Sequence, residues 1–374
     1  MRAWAWISVG VLLASCTEAD SSRIETSAGR MTIETVATGL EEPWAIAFLP
    51  DGRFLITERD GRLKLFGTDR AEPALISGLP EVWAEEQGGL LDVMVPRDFD
   101  ITREIWLTFA VGDGEGAATA VGKGRLSANG TALEGFQTLF AGEVFPGGRH
   151  FGSRLVEMPD GTVAVTTGER GTGPEGLEAQ DPMLALGKVI LLARDGSPAI
   201  RQPGWRAGVL SRGHRNIQGA ALDLSGNLLT VEHGAQGGDE LNSPEAGLNF
   251  GWPVISYGED YGGGKIGEGT AKPGMEQPLH YWDPSIAPSG LMVYSGKLIP
   301  NWKGDIFFGS LNSDFLGRLD PDAAAPTGYA EERIAASETG RVRDIVEAPD
   351  GAIWFLSVTN GAAYRLAPAP NDAE

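Results

Sequence analysis

The sequence is poor in the residues that cross-link small domains or bind soft metals. Its 374 residues contain one cysteine and four histidines, which excludes an intramolecular disulfide and limits any all-histidine metal site. Basic residues are also scarce, since 30 lysines and arginines stand against 51 acids and leave a formal charge of −21. Phosphate backbones and anionic lipid headgroups repel such a chain, so nucleic-acid binding is not expected to be its main activity.

Long helices are not expected either, because residues that interrupt them are frequent. The chain has 53 glycines and 23 prolines, both poor helix formers, and they follow no collagen-like period. The overall composition, with 42% hydrophobic and 22% charged residues, is that of a globular protein. Many short strands joined by turns are therefore predicted.

The first 15 residues are predicted to be a targeting signal and not part of the fold. Arg2 gives a short positive segment, and the apolar stretch 3–15 is too short to span a bilayer as a helix. The stretch ends in Leu13-Ala14-Ser15-Cys16, which resembles the lipidation signal of bacterial lipoproteins, with Cys16 as the first residue of the mature chain. An ordinary secretory peptide that contains a cysteine is the alternative.

The lipoprotein interpretation predicts a periplasmic protein with a lipid anchor. Thr17, and not aspartate, follows the lipidated position, which by the same resemblance favours the outer membrane. The largely polar residues after Cys16 predict a flexible tether over 16–30. The folded body would then lie in the periplasm without disulfides.

A unit made of an apolar strand, a turn resembling Pro-Asp-Gly and a second apolar strand recurs along the rest of the chain. Proline presets φ, aspartate bonds the backbone ahead of it, and glycine accepts a positive φ, so this tripeptide favours a turn. Four copies are clear and two are looser. The six copies begin at Trp44, Leu90, Ser153, Ala220, Leu291 and Asp344.

Six units predict an all-β fold, a single six-bladed β-propeller over residues 31–368 with a short tail at 369–374. The units recur at intervals of roughly 45 to 70 residues, which suits a four-stranded blade with loops of variable length. A strand pair cannot bury both faces alone, but blades packed around an axis can. A β-sandwich with coincidental turns is the alternative, and no long amphipathic segment indicates a second domain.

Polar segments stand before the inner strand of five units, where the loops of a propeller converge over its channel. They include Gly-Arg-His-Phe-Gly-Ser-Arg at 148–154 and Arg-Val-Arg at 341–343, and the full set is 85–90, 148–154, 213–219, 287–290 and 341–344. A further polar segment, 232–242, ends the second strand of the fourth unit. Taken together and in this order, they resemble the soluble glucose/sorbosone dehydrogenase family. These are propeller-type aldose dehydrogenases that use pyrroloquinoline quinone (PQQ).

The resemblance implies that fixed cations hold the three carboxylates of PQQ. Arg341 and Arg343 alternate on one strand, so both side chains point to the same face, and they match the family's Arg-x-Arg clamp. A solvated strand face is the alternative for this pair. The family has a lysine where this chain has Asn312, a loss expected to weaken cofactor binding, with Arg318 as a nearby candidate for compensation.

The resemblance also assigns catalytic roles. His150 would take the proton of the anomeric hydroxyl while hydride passes to PQQ C5, which suits a neutral imidazole. Arg215 would polarise the quinone carbonyl, with the cofactor-binding Asn216 beside it. Two glutamines match family positions near the cofactor or substrate, Gln87 and Gln180. The remaining histidines are interpreted as structural or supporting: His214, His233 and His280.

Calcium is the second implied cofactor. By resemblance it touches the quinone and is held by the consecutive backbone carbonyls of Gly234 and Ala235. Ala235 replaces the family's proline and still offers a carbonyl, although the loop is less rigid. A second, structural calcium is expected at Asp239 and Glu240, with a carbonyl near Phe250. Oxygen ligands without an available thiol favour a hard cation over zinc.

The implied function is calcium- and PQQ-dependent oxidation of aldoses at the anomeric carbon to lactones. The sequence does not identify the sugar or the electron acceptor. A calcium-dependent lactonase is one alternative, but it needs carboxylates converging on the axis, where these loops carry arginine, histidine and asparagine. A non-catalytic binding propeller of the cell envelope is the other, because Asn312 and Ala235 depart from the family pattern.

Overall fold

The structure is a computed structural model that describes residues 21–68, 72–112, 114–323 and 328–370. The predicted signal segment 1–15, the predicted lipidation site Cys16 and residues 371–374 of the predicted tail lie outside the described residues. Within the described ranges, no helix is long and apolar enough to cross a membrane.

Six antiparallel sheets form the blades. The described part of the chain starts with β1 (Ser21–Thr26) and β2 (Gly29–Ala37). Blade 1 contains β3 (Pro43–Phe48), β4 (Phe54–Glu58), β5 (Arg62–Phe66) and β6 (Ala74–Leu75). Blade 2 contains β7 (Leu90–Met94), β8 (Glu104–Gly112), β9 (Ala117–Leu126) and β10 (Leu133–Ala141). Blade 3 contains β11 (Leu155–Glu157), β12 (Val163–Thr166), β13 (Lys188–Leu192) and β14 (Val209–Arg212).

The second half of the chain repeats this pattern. Blade 4 contains β15 (Ile217–Leu222), β16 (Leu228–Glu232), β17 (Asp239–Asn242) and β18 (His280–Trp282). Blade 5 contains β19 (Pro288–Val293), β20 (Ile306–Ser310), β21 (Leu316–Asp320) and β22 (Ala330–Ile334). Blade 6 contains β23 (Val342–Glu347), β24 (Ile353–Ser357) and β25 (Ala362–Pro368). The described helical segments are short: α1 (Phe99–Thr102) and the 3-10 turns Pro300–Trp302 and Ser337–Thr339.

The predicted six-bladed propeller is confirmed, and each repeat seen in the sequence is the inner strand pair of one blade. In blade 1, β3 pairs with β4 so that Ile46 lies opposite Ile56. The turn between them forms as expected: Asp51 accepts the backbone N–H of Arg53 at 3.1 Å, and Gly52 takes a φ of 86°. The turn chemistry therefore sets the register of the pair.

The two ends of the chain close the ring. Strand β2 pairs with β25, with Ile33 opposite Leu366, and β1 adds a fifth strand in which Ser21 lies opposite Glu34. The tether predicted over 16–30 is therefore wrong for residues 21–30. These residues form strands because β2 buries Met31 and Ile33 in the last blade and offers a paired edge to β1, a nonlocal contact that composition does not reveal.

Apolar side chains pack between neighbouring blades and hold the ring together. Between blades 6 and 1, Phe54 stacks on Phe66 with centroids 4.8 Å apart, and Trp354 packs edge-on against Phe54 at 5.0 Å. The inner strands β3, β7, β11, β15, β19 and β23 contact one another in sequence around the axis. Since these strands begin at the same end of the axis, the loops that precede them converge there.

Candidate active site

These loops surround a cavity of about 350 Å³ to which all six blades contribute. The structure brings five of the predicted residues into its wall: Gln87, Asn216, Asn312, Arg341 and Arg343. His150 and Arg215 are not in the wall but lie directly behind it. The backbone N–H of His150 donates to Oε1 of Gln87 at 2.8 Å, and Nη1 of Arg215 donates to the carbonyl of His233, a wall residue, at 3.3 Å.

The Arg-x-Arg pair faces the cavity. Arg341 donates from Nη1 to the Leu311 carbonyl at 3.0 Å, and Arg343 donates from Nη1 to Oε1 of Gln218 at 2.9 Å. Within the described ranges, neither guanidinium forms an ion pair with a carboxylate. Burial, with the charges of Arg154 and Arg341, lowers the pKa of Arg343 to about 9. Unpaired cations around one cavity fit an anionic ligand.

Arg59 lies in the same wall but, unlike Arg341 and Arg343 within the described part of the chain, it is paired with a carboxylate. Its guanidinium lies 2.6 Å from the Glu42 carboxylate and also donates to the Gly88 carbonyl at 3.0 Å. Its charge is therefore already paired. Arg341 and Arg343, and not Arg59, are the cations left to bind a ligand carboxylate.

Arg215 is a third cation that has spare donors. Its backbone N–H donates to Glu232 at 2.6 Å, and its guanidinium lies 5.1 Å from the ring centroid of Trp252. The side chain donates only at long distances, to His233 and to the Tyr261 hydroxyl at 3.4 Å. Its buried Nε has no partner among the described residues. A buried donor without an acceptor is costly, so this group suits a bound oxyanion.

His150 pairs with a carboxylate that the sequence analysis missed. Its Nδ1 forms a short hydrogen bond with Oε1 of Glu169, which is fully buried and also accepts the Thr172 hydroxyl at 2.6 Å. With Nδ1–H donating to the carboxylate, Nε2 of His150 is the nitrogen that can accept a proton. Glu169 follows β12, and the His150 loop precedes β11 in the same blade. A carboxylate directly after an inner strand pair was the sequence feature that could have indicated this partner.

Two opposing effects set the protonation of His150. Burial lowers its pKa, and the charges of Arg215 and Arg170 lower it further, whereas Glu169 raises it. The net pKa lies below 6.5, so the imidazole is neutral near pH 7. A neutral, carboxylate-oriented imidazole has the properties of a general base.

His233, predicted to be structural, both supports the wall and faces the cavity. Its Nε2 donates to the Pro288 carbonyl at 2.9 Å. Burial and the charges of Arg215, Arg343 and His150 lower its pKa to about 3, so it stays neutral. These charges act on His233 because all four side chains converge here. Of the other histidines, His214 is buried as predicted and lies 2.7 Å from Glu232.

The amide side chains of Asn216 and Gln180 lie in different surroundings. Asn216 accepts the Gly152 N–H at 3.2 Å and Nε2 of Gln218 at 3.1 Å, so it links blades 3 and 4 at the wall. Gln180 is not among the residues that line the cavity. It forms a reciprocal amide pair with Asn249, at 3.0 and 2.8 Å, because both groups are satisfied within the blade 3–blade 4 junction.

The departure at Asn312 is not compensated as expected. Asn312 lies in the wall and donates to the Ser285 carbonyl at 3.2 Å. Arg318 points into the body of blade 5, where it pairs with Asp305 at 2.8 Å and with Glu332 at 2.9 Å. These carboxylates hold it away from the cavity, so it cannot replace the missing lysine.

The predicted calcium loop lines a second, adjoining cavity of about 580 Å³. Gly234 and Ala235 lie in its wall with the acidic side chains of Glu259 and Asp283. Gly234 is required, since a Cβ there would lie 2.1 Å from the Gly237 carbonyl oxygen. Backbone and carboxylate oxygens around one space fit a hard cation such as Ca²⁺.

Asp239, predicted as a ligand of a structural calcium, has another role. Its two oxygens accept the backbone N–H groups of Gly234, Ile286 and Ala287, at 2.8, 2.8 and 2.9 Å, and the Ser285 hydroxyl at 2.8 Å. These donors occupy the carboxylate, so it shapes the loop.

The other residues named for this calcium are Glu240, through its carboxylate, and a residue near Phe250, through its backbone carbonyl. Burial, with the charges of Glu232 and Asp239, raises the pKa of Glu240 to about 8, and Phe250 packs its ring on His214 with centroids 4.7 Å apart. The described residues contain no group of three or more acidic, histidine or cysteine side chains that could hold a metal ion.

The chain is similar to known proteins along most of its length. The family model described as "Glucose / Sorbosone dehydrogenase" matches residues 40–365. The chain is 37% identical to the aldose sugar dehydrogenase YliI of Escherichia coli, over 93% of this chain and 96% of that protein.

Solved structures show the same likeness. The apo form of the soluble aldose sugar dehydrogenase of E. coli superposes with a TM-score of 0.84 at 36% identity, covering 91% of this chain and 100% of the other. The PQQ-bound aldose sugar dehydrogenase of Streptomyces coelicolor gives 0.73 at 25% identity, covering 92% and 99%. The resemblance seen in the sequence is confirmed: this chain belongs to the glucose/sorbosone dehydrogenase family.

Proposed function

We propose that the protein oxidises aldose sugars at the anomeric carbon to lactones, with PQQ and calcium as cofactors. One observation carries the proposal: Arg215, Arg341 and Arg343, none of them ion-paired within the described ranges, converge beside a His150–Glu169 pair. The family relationship and the PQQ-bound relative support the same activity.

The cavity residues would share the binding of PQQ. Arg341 and Arg343 offer planar guanidinium groups that pair with carboxylates through two donors each. Arg215 places a positive charge and an unused buried Nε–H beside the same space, where it would stabilise developing negative charge. Gly234 and Ala235 would hold the calcium ion through their carbonyls. PQQ, when bound, supplies an electrophilic quinone that accepts hydride.

His150 would remove the proton of the anomeric hydroxyl. As the sugar carbon loses hydride, Nε2 takes the hydroxyl proton, and the carbon–oxygen single bond becomes the lactone carbonyl. The imidazolium that forms is stabilised by Glu169, which already accepts the Nδ1 proton. Burial lowers the pKa of His150 before reaction, so the base is free at neutral pH, and Glu169 lets it hold a proton once one arrives.

Reconstitution of the purified protein with PQQ and Ca²⁺ tests the proposal. Saturable PQQ binding and aldose-dependent dye reduction are expected. Arg343→Gln should weaken PQQ binding about tenfold or more, since a hydrogen-bonded charge is lost. Arg59→Gln is the matched control, because this wall arginine is already paired with Glu42, and it should change PQQ affinity much less.

Two outcomes would overturn the proposal. If the protein binds no PQQ at millimolar calcium, the non-catalytic binding propeller becomes the better interpretation. If the protein hydrolyses lactones and reduces no dye, the calcium-dependent lactonase becomes the better interpretation. A His150→Ala variant that binds PQQ normally but does not turn over would support the assignment of the base.

A further inference from the structure

Arg154 lies behind the cavity, on the propeller axis, and contacts four other blades. It precedes β11 of blade 3 and is 4% exposed. Its Nη1 lies 3.2 Å from Oδ1 of Asp92 in blade 2 and 2.9 Å from Oδ1 of Asp344 in blade 6. Its Nε donates to the Gln218 carbonyl in blade 4 at 2.6 Å. Its guanidinium carbon lies 4.3 Å from the ring centroid of Trp44 in blade 1.

The carboxylates that hold Arg154 are themselves fixed by backbone groups. Asp92 accepts the N–H of Leu155 at 2.8 Å, and Asp344 accepts the N–H of Ile46 at 2.9 Å. Blade 5 makes room for this arrangement with Gly290, where a Cβ would lie 2.4 Å from Oδ1 of Asp344. All six blades therefore meet around one guanidinium group.

Arg154 also contacts the groups that orient Arg343. Its Nη2 donates to the Arg343 carbonyl at 3.2 Å. Gln218, whose carbonyl accepts the Arg154 Nε–H, uses its side-chain oxygen to accept Nη1 of Arg343 at 2.9 Å. Trp44, which stacks on Arg154, lies 5.6 Å from the Arg343 guanidinium carbon. The backbone, the hydrogen-bond partner and the aromatic neighbour of Arg343 thus all rest on Arg154.

We propose that Arg154 is a positioning residue, which sets the Arg343 guanidinium in place for a cofactor carboxylate without touching the cofactor. The inference rests on the proposed function. Arg154 does not line the cavity, so it acts through Arg343 and Gln218. Holding a binding group in its bound orientation lowers the entropy cost of binding. Only a planar fork with five donors serves these directions together, and lysine does not reproduce it.

A purely structural ion pair would also stabilise the protein, so the test separates stability from cofactor affinity. Arg154→Lys is compared with Arg318→Lys, a matched control that is equally charge-conserving, lies in blade 5 and is buried against Asp305 and Glu332. PQQ fluorescence titration in the presence of calcium gives the dissociation constant, and urea unfolding gives the stability. Arg154→Lys should weaken PQQ binding about tenfold or more, as loss of supporting contacts behind a binding group does. Arg318→Lys should lower stability and leave PQQ affinity nearly unchanged.

The outcomes distinguish the two proposals. If the unmodified protein does not bind PQQ, the proposed function fails. If it binds PQQ and the two lysine variants have equal affinity, the positioning role is overturned. Should Arg154→Lys not fold, the charge-balanced variant Arg154→Met/Asp92→Asn removes one cation and one anion together. That variant should also bind PQQ more weakly, and unchanged affinity would refute the inference.

Discussion

Replacing Glu169 by glutamine isolates the charge that supports the proposed base. Glu169→Gln keeps the size of the side chain and an oxygen that can accept Nδ1–H of His150, but removes the negative charge. Although burial alone would raise the pKa of Glu169, its hydrogen bond and charge interaction with His150 hold that pKa below its ordinary value. The carboxylate is therefore ionised when it faces the base.

The structure sets the size of the effect. Glu169 is fully buried and bonds His150 directly, and a hydrogen bond to a charged group is worth about 1.5–3 kcal/mol. If this energy appears when the imidazolium forms, kcat should fall about 10- to 100-fold. PQQ affinity should stay nearly unchanged, because Glu169 does not line the cavity.

The pH profile gives a second, independent measurement. The base must be neutral, so kcat/KM should rise with pH through the pKa of His150. Since Glu169 raises that pKa, the glutamine variant should move the acid limb to lower pH, while its plateau falls. Steady-state dye reduction across pH 4.5–8 (roughly the range in which histidine titrates) measures both quantities.

Thr172→Val is the graded control for this prediction. It removes one hydrogen bond to Glu169 and leaves the charge, so kcat should fall only a few-fold and the acid limb should hardly move. A Glu169→Gln enzyme with unchanged kcat, or with its acid limb at higher pH, would refute the reasoning about the base.

Three further predictions follow from other parts of the structure. Asp239→Asn should lower the urea midpoint, because it orphans loop N–H groups such as that of Gly234, while the calcium stoichiometry of the protein stays the same. Burial lowers the pKa of Lys188 from 10.5 to about 7. Between these pH values the unfolded chain binds more protons than the folded chain, so the free energy of unfolding should rise with pH. Urea unfolding from pH 7 to 9 should show this rise, and Lys188→Met should abolish it. If Cys16 carries a lipid, Cys16→Ser should move the protein from the membrane fraction to the soluble fraction without changing its proposed activity, and fractionation of cells measures this.

Much of the fold could be predicted because its signals are local. The Pro-Asp-Gly turns carry their own dihedral preferences, so the strand pairs could be located without knowing their neighbours. Arg341 and Arg343 both line the cavity, but Arg341 precedes β23 with a φ of 43°, so the predicted alternation along one strand does not explain their shared position. Residues 21–30 could not be assigned in this way, because their strands form only when β2 meets β25 at the other end of the chain.

The site was harder to predict where function depends on hydrogen-bond partners. Asp239 has the residue type of a calcium ligand, but backbone N–H groups from a distant loop occupy it. Gln180 matched a family position, yet Asn249 satisfies its amide. Glu169 showed no motif of its own, because its importance comes from contact with His150, which lies 19 residues earlier. Such pairings are properties of the folded chain and not of spacing.

The position of β1, the outer strand of blade 6, affects how the protein would be oriented at a membrane. Ser21 lies opposite Glu34, near the C-terminal end of β2. At that end Ala37 pairs with Ala363, beside the start of β25. This is the same end of the blade as the loop that carries Arg341 and Arg343. If Cys16 carries lipid, only residues 17–20 separate it from Ser21, and the five steps between the two residues span about 18 Å at most. So short a linker would hold the opening of the cavity close to the bilayer. Electrons would then have only a short distance to travel from the cavity to an acceptor dissolved in the lipid.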